Sequence, residues 1–329
     1  MGSKNTLLPW IFESVQDLRF DSALDLFSGT SAVAYLFKSM GKRVVTNDFL
    51  KFAHDLATAT VENSTSTLGI DDFAALGRPN RRRRSFIERT FSDIFFTRDD
   101  LRFLDTVWSN LESLPTRWTR ALALASLTRA CLKRQPRGVF TVSGSSYDDG
   151  RRDLHLPIAE HFRESVEVFN SLIFDNGQKN LALRSDAFGV VADVDLVYMD
   201  PPYVPRADDN CYIKRYHFLE GLASYWQEPG TEIVESSRVK KIAKRFTPFS
   251  YRRTAVDAFD AMFRQFAEQT LVLSYSSNGY PDLATLVAMM RRVKRHVDVV
   301  QREHRYHFGT HKGVANDRKL VDEYLIIGR

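Results

Sequence analysis

A chain of 329 residues with 43 % hydrophobic and 26 % charged content can bury a sizeable core, which excludes an intrinsically disordered protein. No run approaches the roughly eighteen consecutive apolar residues of a membrane helix, and the stretch from Lys4 to Trp10 lacks a signal peptide's apolar block, so no membrane partner and a cytoplasmic location are expected. Net charge is only +5 and the two cysteines, Cys131 and Cys211, lack zinc-type spacing, which excludes a disulfide framework and gives no reason to expect a metal.

In chain order, Ser22-Ala23-Leu24-Asp25-Leu26-Phe27 is a short apolar run, and after Ser28-Gly29-Thr30 the residues Val33, Leu36, Phe37 and Met40 fall at helical spacing. Gly41-Lys42 ends that helix, Arg43-Val44-Val45-Thr46 forms a second buried strand, and Asn47-Asp48 closes it. This is a βαβ crossover, the unit of a parallel sheet. From 71 to 175 the character changes to arginine-rich helical stretches up to Arg134, then a Ser-, Gly- and Asp-rich loop from Gly138 to Gly150. This segment is predicted to be a mainly helical insertion, leaving 1–70 and 176–329 as the catalytic domain. Alternation resumes at Leu196-Val197-Tyr198-Met199. Ala255, Phe259, Met262, Phe263 and Phe266 mark one helix face ahead of a strand at 270–275, and Leu283, Leu286, Val287, Met290 and Val293 mark another. Two strand-like runs, 297–308 and 320–328, flank a polar turn around Gly313 and predict an antiparallel hairpin at the sheet edge.

In an open α/β sheet, ligands bind beyond the carboxyl ends of the strands. Gly29 permits close backbone approach beside a helix N-terminus, and Asp48 has the position at which such sheets set an acid against ribose hydroxyls. Asp186 follows Leu181-Ala182-Leu183, and Asp200-Pro201-Pro202-Tyr203 follows the strand ending at Met199. The chemistry of that tetrapeptide follows from its parts. An aromatic amino group is a poor nucleophile because its lone pair is delocalised, and accepting hydrogen bonds from both its N–H groups draws the nitrogen towards tetrahedral geometry. The Asp200 carboxylate accepts one, the carbonyl of Pro201, in a stiff Pro201-Pro202 backbone without N–H donors, accepts the other, and Tyr203 offers a face for a flipped-out base. Methyl transfer from a sulfonium is then direct displacement, in which positioning supplies most of the rate. A rigid turn after a strand would carry the same residues, but the place of the motif downstream of a nucleotide-type βαβ unit favours the chemical reading.

Asp25-Leu26-Phe27-Ser28-Gly29-Thr30 followed far downstream by Asp200-Pro201-Pro202-Tyr203 resembles the Dam-like (D12 class) DNA adenine-N6 methyltransferases. Arg215-Tyr216-His217-Phe218-Leu219-Glu220-Gly221-Leu222 and Glu323-Tyr324-Leu325-Ile326-Ile327-Gly328 look like that class too, and the similarity covers nearly the whole chain. The resemblance implies a Rossmann-like sheet, S-adenosylmethionine as methyl donor, double-stranded DNA as substrate, and a restriction–modification or stand-alone modification role with a cognate endonuclease as candidate partner. It places Asp25, Phe27, Ser28, Gly29 and Thr30 around the donor's methionine part, Asp48 at its ribose, and Asp186 at its adenine amino group, with Phe188 also among the donor-binding residues. Gly2-Ser3-Lys4 resembles the family's N-terminal element whose lysine meets the donor carboxylate. Met1-Gly2-Ser3 is also a common cloning remnant, and both origins stay open. Ser31 departs from the pattern, standing where many relatives have a second glycine. Target recognition is assigned by resemblance to 71–175. Arg81, Arg82, Arg83, Arg84, Tyr147, Arg151 and Arg152 are candidate DNA contacts there, with Ser143 and Ser145 in the same loop. Tyr212, Lys214, Arg215 and His217 follow the catalytic turn and are placed over the flipped base or the gap it leaves, with no proton-transfer role for His217. Other basic clusters are Arg238, Lys240, Lys241, Lys244 and Arg245, and Arg291, Arg292, Lys294 and Arg295.

Three alternatives share parts of this pattern. The same acceptor geometry serves cytosine N4 or an RNA base, although cytosine-N4 enzymes more often begin the motif with Ser. A catalytically inactive nucleic-acid-binding relative would keep the fold, but every expected acidic position is filled. A nicotinamide dehydrogenase is disfavoured because the first turn lacks three glycines. Neither cysteine follows a proline, which closes the cytosine-C5 route that resembling enzymes take.

Overall fold

The computed structural model describes residues 4–141, 148, 150–202, 204–205, 212–305 and 320–329. Gly2, Ser3, Ser143, Ser145, Tyr147, Tyr203, Cys211 and the turn around Gly313 lie outside the described residues. The chain divides into two compact units, one formed by Leu50–Asp175 with Tyr212–Arg245, the other by Gly2–Phe49, Asn176–Cys211 and Phe246–Arg329.

The second unit holds the sheet. Its strands are β1 (Ser22–Asp25), β2 (Arg43–Asn47), β3 (Leu181–Leu183), β4 (Leu196–Met199), the two-residue β5 (Val204–Pro205), β6 (Thr270–Ser276), the two-residue β7 (Gly279–Tyr280), β8 (Val297–Arg305) and β9 (Leu320–Gly328). The main sheet has the order β3-β2-β1-β4-β6-β9-β8. β3, β2, β1, β4 and β6 run parallel, and β9 and β8 are antiparallel, in a continuous register from Val297↔Gly328 to Arg305↔Leu320. The predicted hairpin is therefore present. β1 and β4 are buried throughout, as expected for parallel strands covered on both faces. Phe37, from the helix Ala32–Ser39, meets Tyr198 of β4 edge-on at 6.1 Å, and Ala255, Ala258, Phe259, Met262 and Phe263 bury the face of Arg252–Gln265 that the sequence pattern marks. From β1 the chain runs to β2 and β3 on one side, while β4 lies on the other. That reversal opens a crevice at the carboxyl ends of β1 and β4.

The first unit is helical. Its longest helix, Arg117–Arg134, is buried around much of its circumference by Ala, Leu, Ser and Thr, the pattern of a central helix. The unit begins at Leu50, whereas the sequence pattern sets its boundary at 71, and includes a second segment after the Asp200-Pro201-Pro202 turn. The helix Lys51–Ala57 packs on Arg117–Arg134 and Tyr212–Ser224, and a cap adds to this. Both carboxylate oxygens of Glu220 accept from the free N-terminus of the helix Lys51–Ala57, from Lys51 N at 3.0 Å and Phe52 N at 3.3 Å. Phe218 is met by Phe91 at 5.0 Å, Phe140 at 5.1 Å and Trp226 at 5.5 Å between ring centroids. Among the described residues no helix is long and apolar enough to cross a membrane.

The ring of Trp226 lies against Gly221, where an added Cβ would come within 2.1 Å of the indole. That ring is packed against Phe86, Phe91 and Phe218, so a shift would disturb three aromatic contacts. Gly221→Ala is therefore expected to destabilise the helical unit by about 1–3 kcal/mol, the usual cost of overpacking, read as a lower urea midpoint.

Candidate active site

The turn after β1 is built on hydrogen bonds that fix its backbone. Ser28 N donates to Asn47 O at 2.9 Å, Ser31 N to Ser28 O at 2.6 Å, and Gly29 N to the Asp48 carboxylate at 2.9 Å. Gly29 has φ +50° and Ser31 φ +60°, so two residues of the turn take the left-handed conformation that glycine adopts without strain. Asn47 ties this turn to the loop after β3. Its amide donates to Leu26 O at 3.2 Å and Ser185 O at 3.1 Å, and its carbonyl accepts from Ser185 N at 3.0 Å. The Ser28 and Ser31 hydroxyls are buried with no hydrogen-bond partner in the protein. Buried hydroxyls are normally satisfied, so the turn fits a polar ligand that would complete them. Thr30 is half-buried beside them.

Beyond β3, Asp186 accepts from Phe188 N at 3.0 Å and starts the short turn Ala187–Gly189. Phe188 remains 39 % exposed. Its ring stacks on Phe249 at 5.7 Å with an interplanar angle of 5°, and Phe249 meets the edge of Phe27 at 5.4 Å. A flat exposed ring beside a carboxylate suits an aromatic base that bears an amino group.

At the end of β4, Asp200 leads into Pro201 and Pro202. The exit is pinned where Val204 and Pro205 pair antiparallel with Tyr280 and Gly279. Lys4 Nζ lies 3.3 Å from Asp200 Oδ1 and 3.4 Å from Glu323 Oε2. Lys4 is nearly buried, and the Glu323 side chain is wholly so. Asp25, at the end of β1, accepts from Ala34 N at 3.1 Å. Burial, with Asp200 and Asp48 adding repulsion against its hydrogen bonds, pushes its carboxyl up to about 8. Burial also raises the Asp200 carboxyl, opposed by Lys4 and reinforced by Glu323, and it raises the Tyr198 phenol. Among the described residues, the carboxyl ends of the strands thus gather Asp25, Asp48, Asp200 and Glu323 around the Lys4 ammonium.

The structure brings together Lys4, Asp25, Asp48 and Asp200 around one crevice of the sheet unit, with Phe27, Ser28, Gly29 and Thr30 forming the turn at its edge. Sequence reading missed the site placement of Glu323, which it noted only as part of a C-terminal stretch, and Phe249, whose surroundings gave no local signal. In the helical unit, Arg83 pairs with Glu88 at 3.0 Å and Asp105 at 3.7 Å, and the Arg84 guanidinium lies over the Tyr225 ring at 4.8 Å. Those two side chains are engaged in the unit's own structure, whereas Arg81 and Arg82 are exposed. Arg98 and Arg102 each reach Glu88 at 2.8 Å, and its three arginines hold the Glu88 carboxyl down at about 2. Arg152 pairs with Glu164 at 2.7 Å while remaining 65 % exposed, and Arg151 donates to Gln135 O at 3.4 Å. Tyr212, Lys214 and Arg215 are half-buried on the helix Tyr212–Ser224, and His217 is buried, its ring bonded to Phe140 O at 2.7 Å. Lys294, counted in a surface basic cluster from sequence, instead donates to the carbonyls of Ala267 and Gln269.

A left-handed conformation costs a residue with a side chain about 1–2 kcal/mol, and the Ser31 hydroxyl has no protein bond to lose. Glycine's larger freedom in the unfolded chain returns about 0.5–1 kcal/mol of that. Ser31→Gly is therefore expected to leave stability unchanged or raise it by up to about 1.5 kcal/mol, seen as an equal or higher denaturation midpoint at unchanged slope.

Residues 1–266 match the family described as D12 class N6 adenine-specific DNA methyltransferase. Type II methyltransferase M2.HphI of Haemophilus parahaemolyticus is 28 % identical over 324 residues, covering 93 % of this chain and 90 % of that protein. Type II methyltransferase M.CviAII of Paramecium bursaria Chlorella virus 1 is 23 % identical, covering 99 % and 96 %. Modification methylase StsI of Streptococcus sanguinis is 27 % identical, and there the alignment covers 85 % of this chain but only 44 % of the relative.

Proposed function

The chain belongs to the D12 class N6 adenine-specific DNA methyltransferase family, and on that premise we propose that it is the modification enzyme of a restriction–modification system, methylating adenine N6 within a specific site of duplex DNA by base flipping and direct displacement. S-adenosylmethionine is the donor that the family implies, and when bound it supplies an electrophilic methyl group on a sulfonium. The single observation that carries the reading is Asp200, held at a strand end in a stiff Pro201-Pro202 turn beside Lys4. Its carboxylate and the Pro201 carbonyl would accept both N–H groups of the target amine, and Tyr203 would stack on the extruded ring. Lys4 would meet the donor carboxylate, Asp48 the ribose hydroxyls, and Asp186 with Phe188 the adenine, while Asp25, Phe27, Ser28, Gly29 and Thr30 would line the methionine part. The unpartnered Ser28 and Ser31 hydroxyls support a polar ligand at that turn. Arg81, Arg82, Tyr147, Arg151, Arg152, Tyr212, Lys214 and Arg215 are proposed to face the DNA, with Arg83 and Arg84 supporting their loop from inside. The names of the relatives, type II methyltransferases and a modification methylase, support a cognate endonuclease as partner.

The test is to express the chain in a methylation-free host and map modified bases site by site. N6-methyladenine at one recurring sequence is expected, and methylcytosine without it would refute the reading. Asp200→Ala should keep donor and DNA binding yet lose methyl transfer by at least about 10²-fold, as when a preorganised transition-state contact is removed.

A pH dependence follows from Asp25. A cationic donor near this carboxyl favours its ionised form, and with the free protein holding the proton up to about pH 8, binding at lower pH must release it. This contribution to affinity therefore rises with pH and levels off above about 8. Calorimetry in buffers of different ionisation enthalpy should show proton release at pH 7 that is smaller in Asp25→Asn.

A further inference from the structure

Three places in the molecule invite a further reading. A cavity of about 360 Å³ in the helical unit is lined by Phe95, Phe96, Arg134 and His155, but Arg134 already pairs with Asp100 at 3.6 Å and nothing there commits to a ligand. Buried His217 serves Phe140 O and its surroundings are aromatic. The third place, Glu323, has a consequence for catalysis.

Glu323 lies on β9, opposite Ser276 of β6. Its side chain is completely buried, which for a carboxylate demands compensation, and the Lys4 ammonium lies 3.4 Å away. The same ammonium is 3.3 Å from Asp200. Distances this close to equal mean that neither carboxylate holds Lys4 alone. If Glu323 were neutral, the ammonium would be drawn more strongly to Asp200 and compete with the target amine for Oδ1. We propose that Glu323 is a positioning residue for methyl transfer, drawing the Lys4 ammonium partly away so that the Asp200 carboxylate keeps an open acceptor. The inference rests on the acceptor role assigned to Asp200 above.

The groups coupled to Asp200 are Lys4 from the N-terminal turn, Glu323 from β9, Asp25 from β1 and Tyr198 from β4. Of these, Glu323 raises the Asp200 carboxyl and Lys4 lowers it. Neutralising Glu323 therefore removes repulsion and strengthens the hold of Asp200 on Lys4, two changes with the same sign. The acid limb of the rate profile, on which Asp200 must be ionised, should move to lower pH even as the plateau rate falls.

The experiment measures single-turnover methylation of a duplex carrying the mapped site, from pH 5 to 9, for the full chain and for Glu323→Gln, Glu323→Asp and Lys4→Met. Glu323→Gln is nearly isosteric but uncharged. It should lower the plateau rate about tenfold or more and shift the acid limb down by on the order of one unit, a tenfold change in acid dissociation. Glu323→Asp leaves a larger void yet keeps the charge, so its rate should lie between parent and Gln with the limb little moved. In a Lys4→Met background, Glu323→Gln should cost no further plateau rate. A packing role predicts the opposite ranking, with Asp worse than Gln, and that result, or a Gln variant with the parental profile, or full additivity with Lys4→Met, overturns the proposal. An unmodified chain that forms no N6-methyladenine at any pH would instead refute the enzymatic reading itself, so the two failures are distinguishable.

Discussion

Among the described residues, the carboxyl ends of the parallel strands set a cluster of carboxyls against the Lys4 ammonium. Asp25, Asp48 and Asp200 are delivered there by β1, β2 and β4, and Glu323 by β9, with Lys4 shared between two of them. A unit charge about 4 Å from another interacts by about 4 kcal/mol at an effective dielectric of 20. The Lys4 ammonium therefore stabilises the two carboxylates it reaches. Burial above all leaves the Asp25 and Asp200 carboxyls raised, and a cationic occupant of the crevice would lower them. A sulfonium donor with an α-ammonium group would be such an occupant, while its carboxylate would need the lysine that is already there.

The rest of the sheet unit serves to keep this charge in place. Asn47 spans the turn after β1 and the loop after β3 with three hydrogen bonds, so the segments bearing Phe27, Asp48 and Asp186 hold a fixed relation. Asp195 does the same at the opposite end, accepting from Asp21 N, Ser22 N and the Ser22 hydroxyl between 2.8 and 2.9 Å. In the turn after β1, Gly29 takes the left-handed conformation without strain while Ser31 takes it at a cost. In the helical unit Arg83, Arg98 and Arg102 converge on Glu88, whereas Arg81 and Arg82 are exposed.

Much of the sheet unit was legible because its signals are local. The βαβ start, the Asp200-Pro201-Pro202 turn and the closing hairpin each declare themselves within a few residues of alternating or continuous apolar pattern. The helical unit's edge was less legible. Lys51–Ala57 continues smoothly from the chain before it, and what assigns it to that unit is packing on Arg117–Arg134 and Tyr212–Ser224, with a cap from Glu220, all far along the sequence. Arg83 and Arg84 misled for a related reason. Four consecutive arginines look alike in sequence, yet an acid pair on one side and a tyrosine ring on the other draw the last two inward. Ser31 was noted as a departure from glycine, but only the backbone shows that it keeps glycine's conformation.

Glu323 reaches the site because of strand direction. In a sheet made wholly of parallel strands, each strand brings its last residues to the carboxyl edge. β9 runs the other way, pairing Ser276 with Glu323 and Leu271 with Gly328, so it brings its first residues there and buries its last ones at the far edge. The alternation Glu323, Leu325, Ile327 places the acid on the same face of β9 as two buried aliphatic side chains, and a carboxylate in such surroundings persists only with a cation beside it. The antiparallel hairpin is thus more than an edge for the sheet. It is the means by which a C-terminal segment contributes charge to a site otherwise assembled from the ends of parallel strands.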